Sequence, residues 1–504
     1  MAQDDRQLSI VRKDLSGGSN TRLAPNNISE NQATLLYNID IGIPGETSKR
    51  PGITLLEDLG DSDSGTGAFG FEPDGGVNEL IVTHGAKLEG YIGSGTFTEH
   101  KTDFTSGIET TMVKAGESGE GDVILVSNGT DNVFRMLQDH TFQDLGDTST
   151  SPPKTTVMTY FRNRVWGLKS NLAYFSDAYP SDYSSAFDRT TNAFRMPVGT
   201  ERAIIGLRDI GLIVIGQDQV WGLNPSAVPD PDTDKPEKIL DIGCVAGKTA
   251  CLVGDDVYFL SKDGVRGVFR TQLDKLQLGN SYPLSYQLKD EYDNIRWSVI
   301  DKACAVYFDN KYFIALPTGS SSYNNQVWIY YPATQGWTVI TGWNVGAWAK
   351  VSFSGEERLY YIDSATDKVY RAWYGYSDNS TAINYQEEGR KEDLGQPLVK
   401  KVGGEVKVKA QATGNYDIAV YASFDDQDYT SLGTFNLSAG VALPEDLPFY
   451  LTGTSTAIGV FHLDSYGEWT TIKLKIQHNA TNASDNIKIL ERQINTFQCA
   501  YYSE

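Results

Sequence analysis

The sequence predicts an all-β chain, a β-propeller of about seven blades with a C-terminal β-sandwich and a short N-terminal docking segment. Three observations predict it. A strand–turn–strand pattern recurs through the middle of the chain, its spacing is that of a propeller blade, and the composition, with 49 glycines, 28 tyrosines and few apolar runs of helical period, belongs to strands and turns.

The pattern is clearest at 252–269. Val257-Tyr258-Phe259-Leu260 and Val265-Arg266-Gly267-Val268-Phe269 are rich in β-branched and aromatic residues, and Lys262-Asp263-Gly264 supplies a turn between them, so a hairpin is expected. The same order recurs at 122–137, 163–177 and 212–224, and more loosely at 79–97, 311–328 and 358–373. With Gly85, Asn128, Lys169, Gly216, Asp263, Gly319 and Asp363 as turn markers, successive copies lie 43, 41, 47, 47, 56 and 44 residues apart. A four-stranded blade needs roughly 40–50. Each blade must bury both faces, so the aromatics after the turns (Tyr91, Phe134, Tyr174, Trp221, Phe269, Trp328 and Tyr370) read as core packing rather than as a ligand-binding stack.

The flanks divide the chain into a docking segment at 1–60, the propeller at 61–375, a linker at 376–395 and the sandwich at 396–504. Ser9 to Lys13 reads as a short strand, and Ser29-Glu30-Asn31-Gln32 matches a capping box that predicts one or two helical turns. Few apolar residues precede Leu15, so removal of residues 1–15 is expected to spare folding but to prevent assembly. Turn signals surround Lys49-Arg50, which is expected to be exposed. The polar loop at 61–67 reads as solvated rather than as a calcium loop. Between Pro225 and Lys238 lies a proline-rich acidic insertion, in which Asp230, Asp232 and Asp234 alternate on a projecting loop rather than at a cation site. Leu284, Leu288 and Tyr292 recur four apart after Pro283 and predict the one sizeable helix, at 280–295. Beyond 404, strictly alternating runs such as Glu405 to Lys409 predict the strands of the sandwich.

Charge and chemistry exclude several functions. The formal net charge is −22, from 65 acidic and 43 basic residues, the wrong balance for holding phosphate backbone by ion pairs. No window approaches the ~20 apolar residues of a membrane span, and the N-terminus has no basic start with an apolar core. Cys244, Cys251, Cys304 and Cys499 are scattered and read as buried free thiols of a chain made in a reducing cytoplasm. The five histidines show no metal spacing, and no nucleophile elbow, phosphate-binding loop or repeated sialidase box is present. The chain is therefore expected not to be an enzyme and to use no cofactor or metal. Tyr450, Tyr466 and Trp469 are candidates for stacking on sugars, although Trp469 sits in an alternating run that suits a core position.

The order Gly17-Gly18, then Asn38-Ile39-Asp40, then Lys49-Arg50-Pro51-Gly52 resembles the opening of the tail nozzle (tail tubular protein B) family of short-tailed bacteriophages, over about 15–53. The resemblance implies a structural virion protein that forms the tail nozzle ring, with six copies continuing the DNA exit channel. Its partners would be further copies of itself, the tail adaptor protein and tail fibre or spike proteins, with DNA passing through unbound. Gly17, Gly18, Lys49, Arg50 and Pro51 would then be docking residues, and Asp230, Asp232 and Asp234 candidates for an acidic channel rim. Such a chain would be assembled in the host cytoplasm and reside in the phage tail. The alternative is a virion-attached protein whose sandwich binds a receptor or glycan.

Overall fold

Each of the seven turn markers sits where the second strand of an antiparallel sheet gives way to the third. The computed structural model describes residues 7–61, 63–208, 210–412, 416–437, 455–478 and 486–499. Within them, strands run consecutively through blades 1 to 4 (65–101, 111–144, 158–195 and 201–240), four to a sheet. Blade 5 (251–278) has three strands and a helix, blade 6 spans 304–341, and blade 7 (345–372) takes its fourth strand, Ile53–Asp58, from the N-terminal segment. That borrowed strand closes the ring, because the chain passes from it directly into blade 1.

Apolar clusters fill every interface between successive blades. The turn-following aromatics all belong to these clusters or pack against them, from Tyr91 and Trp328 inside to Phe134, Tyr174, Trp221, Phe269 and Tyr370 at their margins. Counted as free-standing sheets, the ring has six blades, against the seven expected. The remaining sector, blade 6, does not stand alone. Its last strand pairs in parallel with Leu35–Tyr37 through Val339 and Tyr37, and the sheet runs on through Tyr385–Glu392, Ile472–His478, Tyr416–Phe424 and Thr430–Leu437 to a total of nine strands.

The far half of that sheet is one layer of the C-terminal sandwich. The facing layer contains Ser455–His462, Lys401–Ala412, Ile487–Gln498, Thr47–Lys49 and Ile39–Asp40. Val406, Val408 and Ala410 from one layer and Ile418, Val420 and Ile472 from the other share a core. Strand periodicity dictates this, since alternate residues of each strand turn inward.

Several expectations are corrected here. The stretch read as a linker contains the central strand Tyr385–Glu392; its inward Glu387 is charged and hides the apolar alternation, and Arg492 is its partner inside. The described part of the expected docking segment, 7–60, is not a separate unit: Gln7–Arg12 pairs along Ile487–Gln498, and Leu15 enters the shared core. At Ser29 the Gln32 side chain does reach back to the Ser29 N–H (3.2 Å), but the strand Gln32–Ala33 follows instead of a helix. No helix spans 280–295. Leu284, Leu288 and Tyr292 do share one cluster, but on successive turns ending in the short helix Lys289–Asp293. The sizeable helix is Val268–Leu278, where the second arm of the 252–269 hairpin had been expected to continue. It starts there because the Asp256 carboxylate, on the strand Asp256–Ser261 that pairs with Gly264–Gly267, accepts the free N–H groups of Phe269 (2.9 Å) and Arg270 (3.0 Å). Among the described residues, no helix is long and apolar enough to cross a membrane.

Candidate functional site

The residues expected to dock outward form the joint between propeller and sandwich instead. Arg50 is fully buried. Its guanidinium makes a two-pronged pair with Asp378 (2.9 and 2.7 Å), donates to Asn38 Oδ1 (3.0 Å) and to the Pro51 carbonyl (3.0 Å), and lies 4.6 Å over the Trp343 ring. Trp343 Nε1 donates to the same Asp378 at 3.1 Å. A buried guanidinium is tolerated only where its donors are met, and this site meets them. Lys49 is also buried, with its ammonium 5.9 Å from the ring centres of Tyr376 and Tyr416. The expectation of an exposed Lys49-Arg50 pair is thus corrected, because turn signals mark where the chain bends and not what covers the bend.

Gly17, Gly18 and Pro51 have the same fate. The Gly17 N–H bonds to Asn31 O at 2.9 Å. Gly18 has φ +76°, and a Cβ there would lie 2.2 Å from the Trp337 nitrogen, so both conformation and space require glycine. Pro51 is half-buried, and at Gly52 a Cβ would meet the Ser377 carbonyl at 1.8 Å. The signature is a packing signature of the joint.

A second buried network braces the sandwich layers. Arg492 Nε donates to Glu387 Oε1 at 2.6 Å, while Tyr385 Oη (2.8 Å) and Thr47 Oγ1 (3.1 Å) donate to Glu387 Oε2. Beside it, His478 stacks on Tyr385, and burial with the nearby Lys49 charge pushes its imidazole down to about 3.

The acidic insertion does project. Asp232 is exposed, and Asp234 knots the loop by accepting from the Ser226 N–H (2.9 Å), Ser226 Oγ (2.6 Å) and the Asp230 N–H (3.0 Å). Asp230 in turn accepts the Asp232 N–H at 2.9 Å. Of the sandwich aromatics, Trp469 is buried, and Tyr466 is half-buried, with one face stacked on Phe424 and its hydroxyl donating to Ser431 O; Tyr450 lies outside the described residues. At the ring axis, first strands of blades 2 to 4 enclose a cavity of about 410 Å³ with Glu109, Glu201 and Asp301 set against Arg202 and Lys248. Lys248 pairs with Glu109 at 3.2 Å.

One constellation escaped the sequence. His100 and His140 stack with ring centroids 3.9 Å apart, and their Nε2 atoms lie 2.7 and 3.0 Å from the two oxygens of Glu79. The three come from different strands and turns, so no spacing in the chain announces them. All four cysteines are free, and burial raises the thiols of Cys244 and Cys251 to about 11 and that of Cys304 to about 12. Those thiols are poor nucleophiles.

No family model and no curated protein matches the chain. Among solved structures it is similar to BBS1N in complex with ARL6DN, at 13% identity and a TM-score of 0.40, over 64% of this chain and 97% of that one. It is also similar to PorZ, a surface component of the type IX secretion system of Porphyromonas gingivalis, at 12% identity and a TM-score of 0.38, over 76% of this chain and 46% of that one. The CNH domain of AfRom2 gives 12% and 0.38, over 64% and 98%. The propeller itself is established by its sheets and the apolar interfaces between them.

Proposed function

We propose that the chain is a structural protein of a tailed-phage particle, a ring-forming component similar to the tail nozzle. One observation supports the reading above others: Gly17, Gly18, Asn38, Arg50 and Gly52, which carry the resemblance, are the residues that the propeller–sandwich joint requires. A resemblance confined to them is a resemblance of architecture. Since they are spent inside the chain, contacts with neighbouring copies, with the tail adaptor and with fibre or spike proteins would use other surfaces. The DNA path would run between copies, because the axial cavity of one propeller has only the volume of a small-ligand pocket. The −22 charge suits a wall past which phosphate slides without sticking. In this reading the chain needs neither catalysis nor a cofactor.

Negative-stain images and native mass measurement of the purified full chain test it. A closed ring of about six copies is the expected result. A monomer at every concentration, combined with failure to enter phage particles, would overturn the reading.

A further inference from the structure

Glu79 opens the second strand of blade 1, His100 lies in its fourth strand, Thr98–Lys101, and His140 sits in the turn between Phe134–Met136 and Phe142–Asp144 of blade 2. The three groups therefore join the outer parts of two successive blades. Their ligand atoms all lie within 4.8 Å of one another, the one such group of three among the described residues. Glu79 is buried. Its two carboxyl oxygens face the two imidazole nitrogens, and the His140 side stays open, with that side chain 36% exposed.

The backbone is shaped around the group. A Cβ at Gly90, on the strand beside Glu79, would lie 1.8 Å from Glu79 Oε1 and 2.4 Å from His100 Nε2, so only glycine leaves room for both. His140 has φ +65°, a left-handed conformation that side chains other than Asn, Asp and His seldom adopt. That conformation aims its ring at His100.

From this geometry we propose that Glu79, His100 and His140 bind a divalent transition metal, zinc by preference, which clamps blade 1 to blade 2. Two imidazoles and a carboxylate suit a borderline ion, and three protein ligands with water as the fourth is the arrangement of open tetrahedral zinc sites. The ligand atoms of such a site sit about 3.4 Å apart, given bonds of about 2.0–2.1 Å, a spacing within the 4.8 Å that separates these atoms here, and the stacked imidazole rings must turn toward each other to meet one ion. On binding, a neutral imidazole carries its proton on Nδ1 instead of Nε2, an imidazolium releases its Nε2 proton to solvent, and in both cases the hydrogen bond to Glu79 is replaced by a bond to the metal. Affinity falls as the solution becomes acidic, because protons then compete with the metal for the imidazole nitrogens. The clamp operates within one chain and does not depend on ring assembly.

The test uses untagged full-length protein stripped with chelator. Titration with zinc, and with cobalt as a spectroscopic probe, should give one equivalent per chain, tetrahedral cobalt absorption and a raised thermal midpoint. His140→Ala lies on an exposed turn, and Glu79→Gln keeps the shape. Each should lower zinc affinity by about a hundredfold or more, since even residues that only support a ligand cost 10–100-fold. Zinc should raise the midpoint of the stripped parent and leave that of stripped His140→Ala where it was, whatever the two metal-free midpoints are. A parent that takes up no stoichiometric zinc or cobalt, or one whose binding survives both substitutions, overturns the proposal.

Discussion

Blades 1 to 4 and the propeller–sandwich joint are both antiparallel sheet for the most part, yet they are assembled in opposite ways. In the blades each strand pairs with the next in sequence, as Gly121–Ser127 does with Thr111–Glu117. In the joint, Thr47 meets Ile489, Tyr37 meets both Val339 and Gln386, and Gln7 meets Phe497. The blades are held by apolar faces and short turns. The joint is held by buried charge, with Arg50 on Asp378 and Arg492 on Glu387. Local pairing can tolerate approximate partners, whereas strands brought together from opposite ends of the chain need something that fixes register. Buried, directional ion pairs can do that, at a cost in desolvation.

The sharpest way to break the comparison is to cut the joint at one atom group. Arg50→Ala leaves half-buried Asp378 beside Trp343 without its partner, and the expected loss is about 3 kcal/mol in a denaturant titration. Arg50→Lys should recover little of it, because an ammonium cannot make the two-pronged contact. A loss under about 1 kcal/mol would mean that the apolar core alone holds the joint.

Acid should also attack the joint before the blades. His478 is held neutral down to about pH 3 in the folded chain, whereas the unfolded chain takes its proton near 6.5. Its contribution is therefore whole above pH 6.5 and is lost as the pH falls toward 3, because the unfolded state binds more protons in that window. The slope is about 1.4 kcal/mol per pH unit, or about 2 kcal/mol by pH 5. His478→Asn should flatten the profile by that amount relative to the parent. Equal profiles would place the acid-sensitive group elsewhere.

The same contrast explains what the sequence reveals. Turn positions such as Asn128 and Gly216 are local facts, and all seven markers fall at the same point of their sheets. The strand at Tyr385–Glu392 is illegible because Glu387 is buried only by virtue of Arg492, over a hundred residues away. The helix at Val268 is hidden for a similar reason: its cap is Asp256, a carboxylate from another strand. The histidine cluster requires the register of one blade and a turn of the next. Long-range partners carry no signature in a single sequence, and both the joint and the candidate metal site consist of them.

Removing residues 1–13 sharpens the comparison at its edge. The strand Gln7–Arg12 is lost with half-buried Ile10 and the Arg12–Glu392 pair at 2.9 Å. A loss of about 1–3 kcal/mol is expected, roughly the burial of one large aliphatic side chain with a partly exposed ion pair. Because the Ile487–Gln498 edge is then uncovered, self-association should rise, and light scattering would detect it. A variant as stable and monodisperse as the parent would show that this strand merely decorates the sandwich.

The smallest effect belongs to the acidic insertion, which is neither blade nor joint. Asp234 accepts from the Ser226 hydroxyl and from the N–H groups of Ser226 and Asp230, hydrogen bonds that hold its carboxyl below the usual range. The loop leaves blade 4 after Val220–Leu223 and returns as Glu237–Leu240, so the blade keeps its register whether or not the loop is knotted. Asp234→Ala should therefore change global stability by no more than about 0.5 kcal/mol, as surface substitutions do. Local opening is the quantity that should respond: amide exchange at Ser226 and Asp230 should quicken and proteases should cut within 225–236, while the rest of blade 4 stays protected. Asp232→Asn, which removes no hydrogen bond that holds the loop, should change neither. If instead Asp234→Ala loosens all four strands of the blade, the insertion is part of the scaffold, and the division between locally built blades and a charge-locked joint would have to admit a third kind of support.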